Sequence, residues 1–312
     1  VRTCFLFVVI GLVSAAGQST STTYAHDISG NRVPDMEKTV TKDGVLTDLR
    51  RSINGKEVPF QQIEEKVLSK VGSTTVTERI VRHYGADGKV VLTERIVTDE
   101  TKTGDGQSTV HATTFRSDLN GDMAEAERKT IETRKMGAAT VTDTSVESKS
   151  LNGGFNVAEK RTLTSEPISN GKQENETVML RDANGGLYEA QRSATTATTT
   201  GNQTVANTAI YEPSVNGSLS LTRQQIVKTT TNPDGSSREE VDIFGRPSDA
   251  RARDAGAAPS LTEKRIMERQ KSASGAVIET QSVQLPSVNY PGVLDPPRKV
   301  YETVCRGECK KP

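Results

Sequence analysis

Apolar residues recur at alternate positions in several short stretches of this chain, as in Phe155-x-Val157, Val178-x-Leu180, Leu219-x-Leu221 and Val241-x-Ile243. A period of two puts successive side chains on opposite faces of an extended backbone, so these stretches predict half-buried β-strands. Threonine, valine and isoleucine dominate the segments between turns, and β-branched side chains fit a pleated strand better than a helix. Elsewhere the alternation fails: Thr195-Thr196-Ala197-Thr198-Thr199-Thr200 has no apolar face at all.

Glycine turns divide these segments. Seven candidate turn glycines, Gly88, Gly121, Gly153, Gly185, Gly217, Gly245 and Gly275, follow one another at spacings of 33, 32, 32, 32, 28 and 30. Asn-Gly and Asp-Gly, as at Asp87-Gly88 or Asn184-Gly185, are favoured where a hairpin needs positive φ. A second set of breakers, at Gly72, Gly104, Gly137, Gly171, Gly201 and Gly235, halves the unit to about sixteen residues. Thr77-Glu78-Arg79-Ile80-Val81 recurs letter for letter as Thr93-Glu94-Arg95-Ile96-Val97, so the half-unit itself reads as a duplication. Within each unit an apolar cluster near the turn gives way to a charged stem: Glu94-Arg95, Glu127-Arg128, Glu159-Lys160 and Gln191-Arg192 stand six and seven residues after their glycines.

Composition limits the thickness of the fold. The chain is 33% hydrophobic, 4% aromatic, free of tryptophan and 26% charged, which leaves little apolar surface to offset chain entropy. The expected fold is all-β: an elongated antiparallel repeat of two-strand hairpins, each of about 32 residues, in a thin or single-layer meander with a small core. A membrane barrel should show a continuous lipid-facing apolar row. Thr77 to His83 mixes charge and apolar residues on both faces, which argues against one. The repeat domain is expected over residues 72–285. Residues 17–71 repeat the pattern weakly and predict degenerate hairpins, although Phe60, Ile63 and Val67 also fit one helical face. Residues 286–312 read as a proline-rich linker and a cysteine-containing tail.

Residues 1–16 read as a secretory signal: Arg2, an apolar run from Cys4 to Val13, then Ser14-Ala15-Ala16. Export to a periplasm or the exterior is therefore expected, with no membrane span after cleavage. With 40 basic and 40 acidic residues, the chain offers no electrostatic reason to propose nucleic acid as a partner. In an oxidising compartment Cys305 and Cys309 are most simply a local disulfide, since a zinc site would need two more ligands.

Candidate chemistry is sparse. Asp118-x-Asn120-x-Asp122 matches the first ligands of a calcium loop, but Met123 and Lys129 stand where that loop needs glycine and glutamate. No nucleophile elbow, Walker loop or dinucleotide fingerprint occurs. No catalytic residue, metal or cofactor is expected. The chain then reads as an exported, non-catalytic β-repeat protein, a scaffold, surface or binding module. A self-assembling fibre or envelope subunit is the alternative, and a secreted hydrolase the less favoured third reading.

Overall fold

The computed structural model describes residues 19–307, apart from 27–31, 41–43, 54–55, 105, 119, 151, 215, 246–258, 273 and 291. The leader region and Cys309 lie outside the described residues. Eighteen strands form one sheet. They are β1 Ser19–His26, β2 Arg32–Val40, β3 Gly44–Ile53, β4 Lys56–Val71, β5 Thr74–Tyr84, β6 Val90–Gly104, β7 Gln107–Ser117, β8 Met123–Met136 and β9 Ala139–Lys149. The second half comprises β10 Phe155–Ile168, β11 Gly171–Arg181, β12 Leu187–Thr200, β13 Gln203–Pro213, β14 Leu219–Thr231, β15 Ser237–Gly245, β16 Ser260–Lys271, β17 Val277–Gln284 and β18 Arg298–Gly307. Each strand pairs antiparallel with the next, and β18 pairs with β1 from Ser19↔Gly307 to Ala25↔Tyr301.

The meander therefore closes into a β-barrel. All-β and antiparallel agree with the sequence pattern, but the elongated, open sheet does not: its first and last strands are joined. The tail expected after residue 286 supplies the closing strand, β18. Closure is a contact between residues about 280 apart, and alternation within a strand is the same in an open sheet as in a barrel. The wall is one layer thick. Among the described residues no side chain is fully buried, as expected where water reaches both faces.

The two rims differ. At the rim holding the start of β1 and the end of β18, called here the terminal rim, connections 72–73, 105–106, 137–138, 169–170 and 201–202 have two residues. At the opposite, distal rim, connections 85–89, 118–122, 150–154, 182–186 and 214–218 have five. Gly88, Gly121, Gly153, Gly185 and Gly217 lie in these five-residue turns with φ between 76° and 88°. Each donates its N–H to the carbonyl three residues earlier, as Gly121 does to Asp118 at 3.1 Å. Gly275 makes the same turn at the terminal rim, as does Gly235. Gly245 is not in a turn: it ends β15, paired with Arg223 and Ser260. The repeat phase slips there because the connection from β14 to β15 takes the five-residue form at the terminal rim.

A ring of β-bulges circles the barrel near the distal rim. In all nine hairpins closed at that rim, one extra residue sits on the second strand. These are Val91, Ala126, Ala158, Ala190 and Thr222 in the regular units, with Asp35, Phe60, Thr262 and Val300 at corresponding places. Bulges bend a strand and raise its twist, which suits the edge of a barrel. Thr222 and Thr262 also donate their hydroxyls across the bulge to the carbonyls of Ile210 and Ile243, at 3.3 and 3.0 Å.

Candidate functional site: the lumen and the distal rim

Chirality fixes which face lines the lumen. Met136↔Ala139 and Thr200↔Gln203 flank two-residue turns and so exchange both backbone hydrogen bonds. When the side chain of an L-residue points at the viewer and its strand runs upward, its N–H and C=O point right. Seen from the face carrying Met136, with the terminal rim up, strand numbers therefore rise to the right. Partners followed that way run from Ser19 through Val40, Val45, Glu65, Arg79, Ile96, Thr114 and Glu127 to Ser148, descending from one rim to the other. Strands coiled right-handedly about an axis give a rightward descent only when seen from outside. Met136 and its row face outward, and the alternate residues face the lumen. Burial agrees: Thr23, Val81, Thr114, Val178 and Ala197, five of the seven most buried side chains, are on the lumen face, where concavity crowds them.

With that assignment the stems of β6, β8, β10 and β12 resolve into two arcs, one on each face. Glu94, Glu127, Glu159 and Gln191 face the lumen, while Arg95, Arg128, Lys160 and Arg192 face outward. Ion pairs join side chains of one face. In the lumen Arg79 meets Glu65 at 3.2 Å, Arg116 meets Glu94 at 2.9 Å, and Arg161 bridges Glu159 and Glu176 at 2.8 and 3.2 Å. Hydroxyl pairs line it too: Thr23 with Thr303 at 2.8 Å, Thr195 with Thr208 at 2.8 Å and Thr133 with Thr142 at 3.2 Å. On the outside, Glu78 accepts from Lys66 at 2.8 Å and Arg95 at 2.7 Å, while Lys264 bridges Glu240 and Asp242 at 2.7 and 3.5 Å. The Thr195–Thr200 stretch lacks an apolar face because neither of its faces meets a core.

Strands spaced by about 4.8 Å and tilted about 35° give a circular eighteen-strand barrel a circumference of roughly 105 Å and a backbone diameter of roughly 34 Å. Such a lumen is too wide for its side chains to fill. What the arrangement can do chemically is hold water and dissolved polar solutes against a wall of paired charges and hydroxyls. Among the described residues no group of three or more His, Cys, Asp and Glu could hold a metal ion. Asp118 is occupied locally, its carboxylate accepting from the amides of Asn120 and Asp122 at 2.8 and 3.0 Å. Cys305 lies on the lumen face of β18 opposite Ser21 and Val277; its pairing with Cys309 falls outside the described residues. Among the described residues no helix is long and apolar enough to cross a membrane.

Aromatic side chains are concentrated at one end, which the sequence pattern gave no reason to expect. Of the twelve, Phe5 and Phe7 precede the described residues, and the other ten all lie in the distal half of the barrel or in its distal connections. Tyr24, Tyr84, Phe115, Phe155, Tyr211 and Phe244 face outward from six strands spread around the ring. Arginines of the same face lie over three of them: Arg32 over Tyr24 and Arg128 over Phe155, both at 4.1 Å, and Arg95 over Phe115 at 5.8 Å.

No protein-family model matches the sequence, and no curated protein matches it. Solved structures do share its fold. The chain is similar to OccK5 (OpdH) of Pseudomonas aeruginosa, with a TM-score of 0.51 and 10% identity over 93% of this chain and 96% of that one. OccK2 (OpdF) of the same organism, solved in complex with glucuronate, aligns over the same shares with a TM-score of 0.45 and 8% identity. The expectation of a scaffold or binding module, or of a fibre subunit, is overturned. A fibre subunit needs free sheet edges, which closure onto β1 removes, and the elongated surface of a scaffold is replaced by an OccK5-like barrel with an interior. The likeness at this identity shows one thing, the fold: a closed antiparallel barrel of eighteen strands.

Proposed function

We propose that this protein is a porin-like β-barrel of the cell envelope, non-catalytic, with its lumen as a passage for small hydrophilic solutes. The observation that carries the reading is closure with eighteen strands. Barrels of sixteen to eighteen strands leave an aqueous channel, and here the channel wall bears ion pairs and hydroxyls that favour water over apolar cargo. A secretory leader over residues 1–16 and a seat at the outer membrane belong to the same reading. From β4 to β14, two-residue turns at the terminal rim stand against five-residue distal connections, as in outer-membrane barrels whose short turns face the periplasm.

Size-graded cysteine labelling tests the passage. With Cys4, Cys305 and Cys309 replaced by serine, single cysteines are placed at lumen-facing Thr142 and outward-facing Thr162. A small maleimide should label both, whereas polymer-linked maleimides wider than the lumen should label only Thr162→Cys. Equal labelling of both sites by every size of reagent would overturn the reading.

A further inference from the structure

We infer that the barrel meets a lipid surface through its distal rim alone, with the rest of the wall standing in water. The inference rests on the passage reading for what the seat is for, and on separate observations for its existence.

The outward aromatic side chains form a belt only at the distal rim, and aliphatic residues continue it: Val90 and Met123 are 48% and 41% exposed. The belt is about two outward rows deep, roughly 7 Å along the strands, against the band of about 25 Å that spans a bilayer. Beyond it toward the terminal rim the outer face carries the Lys66–Glu78–Arg95 and Glu240–Lys264–Asp242 clusters. An Arg or Lys on the lipid face near the bilayer centre costs about 2–4 kcal/mol each, so these clusters favour water. At the terminal rim Val71 and Met136 are exposed as well, but they stand beside Lys70 and Lys135, and no aromatic residue is near.

The connection between β17 and β18 adds an independent observation. It projects from the same rim, carries no charged residue from Leu285 to Leu294, and exposes Val288 at 95%, Tyr290 at 68% and Val293 at 55%. Backbone bonds tie its two arms together: Ser287 donates to the Val293 carbonyl and Asp295 to the Leu285 carbonyl, each at 2.8 Å. An exposed, uncharged segment with a tyrosine, next to a ring of half-buried aromatics, fits a fluid interface, where an aromatic ring sits between apolar and wet surroundings. A protein partner would need a concave pocket for the loop and a matching ring for the belt. The arginines at the belt are already paired, Arg128 with Glu125 at 2.7 Å and Arg192 with Glu189 at 2.8 Å. Seating is therefore driven by apolar burial, and needs no anionic headgroup.

The absence of native tryptophan makes a site-resolved test possible. Single tryptophans replace Tyr290 at the distal connection, Thr162 on the outer wall and Met136 at the terminal rim, each in the otherwise unchanged chain. On adding phosphatidylcholine vesicles, Y290W should shift its emission to the blue and be quenched by shallow brominated lipids, with T162W and M136W unchanged and the response insensitive to salt. Val288→Asp in the Y290W protein should weaken vesicle binding at least tenfold without moving the melting temperature. A shift and deep quenching at T162W would mean that the wall spans the bilayer, and would overturn the inference. So would no response at Y290W, a response only with anionic lipid, or a shift that depends on protein concentration without vesicles, which would mean rim-to-rim pairing. None of these outcomes alters the labelling at Thr142 and Thr162, so seat and passage fail separately.

Discussion

Closure makes Val304 a sharper probe than its half-buried valine side chain suggests. Val304 faces outward on β18, opposite Thr22 of β1 and Ile278 of β17. Along an even-numbered strand, outward residues turn their N–H and C=O toward the following strand and lumen residues toward the preceding one. The N–H of lumen-facing Thr199 on β12, which reaches back 2.7 Å to the Asn170 carbonyl beside β11, follows this rule. For β18 the following strand is β1, so the N–H of Val304 belongs to the seam. Val304→Pro removes that bond, about 1–1.5 kcal/mol, and leaves the Thr22 carbonyl unpaired in a half-buried ladder, about 1–3 kcal/mol more. The expected loss is about 2–4 kcal/mol, or a fall in melting temperature of roughly 5–10 °C by circular dichroism. If β18 were the edge of an open sheet, the same N–H would face solvent and proline would be tolerated. Thr303→Pro is the control: its N–H points to β17, so it should destabilise whether or not the seam exists. A Val304→Pro protein that melts with the wild type, beside a destabilised Thr303→Pro, would refute closure.

Other expectations follow from local geometry. Gly121 has φ of 88° with open space around a would-be Cβ, so Gly121→Ala should cost about 1–2 kcal/mol through backbone strain alone. Gly245→Ala, where an added Cβ would only touch the Thr262 side chain at 3.4 Å, should leave the melt almost unchanged. Glu78 is 8% exposed between partners that are 41% and 44% exposed, so Glu78→Gln should cost about 1–2 kcal/mol after allowance for screening, read as a lower urea midpoint at unchanged slope. Asp234, in the turn at the terminal rim, accepts from the hydroxyl and N–H of Ser236 at 2.7 and 2.8 Å. These bonds hold its carboxyl below the ordinary value of 3.8. A depressed carboxyl stabilises the fold above its unfolded value and loses that contribution as pH falls through the folded one. Asp234→Ala should therefore melt below the wild type at neutral pH, with the gap closing in acid below 3.8.

Strands and turns were legible because their signals are local. Asn184-Gly185 declares a hairpin without reference to the rest of the chain, and Val178-x-Leu180 declares a strand. The duplicated Thr-Glu-Arg-Ile-Val segments even foreshadow a contact: paired antiparallel, they set Glu78 opposite Val97 and Ile80 opposite Arg95, which brings Glu78 and Arg95 together. The mixed polarity of Thr77 to His83 weighed against a membrane barrel in the sequence, yet the sheet closes into a barrel all the same. That polarity could not exclude closure, because closure asks nothing of one strand that an open meander does not. The part played by residues 298–307 was hidden for the same reason: Val304 contacts a strand at the other end of the sequence. The aromatic rim escaped because its members are scattered singly from Tyr24 to Phe244, and only strand direction brings them to one end.

The repeat unit contains the geometry of the barrel. In the regular region strands of 14 and 11 residues alternate, as in β8 and β9 or β10 and β11, and with connections of two and five residues they make the 32-residue unit. The longer strand has three residues to spare. One is the bulge, and the other two are the stagger that a tilted hairpin needs. Nine hairpins at two residues each give a shear of about 18 and a tilt of about 35°, within the range of closed barrels. An even strand number also keeps the seam antiparallel, since an odd meander would bring its first and last strands together parallel, a slightly weaker pairing. Removing residues 155–186, one whole unit, joins Gly154 to Leu187 where it met Phe155 and leaves sixteen strands that can still close. Removing residues 139–154, half a unit, leaves seventeen. The first protein should be soluble and melt cooperatively with a narrower labelling cutoff, while the second should aggregate through its unpaired edges. Equal solubility and cooperative melting of the two would show that the sheet does not depend on its seam, and that parity is not what the repeat encodes.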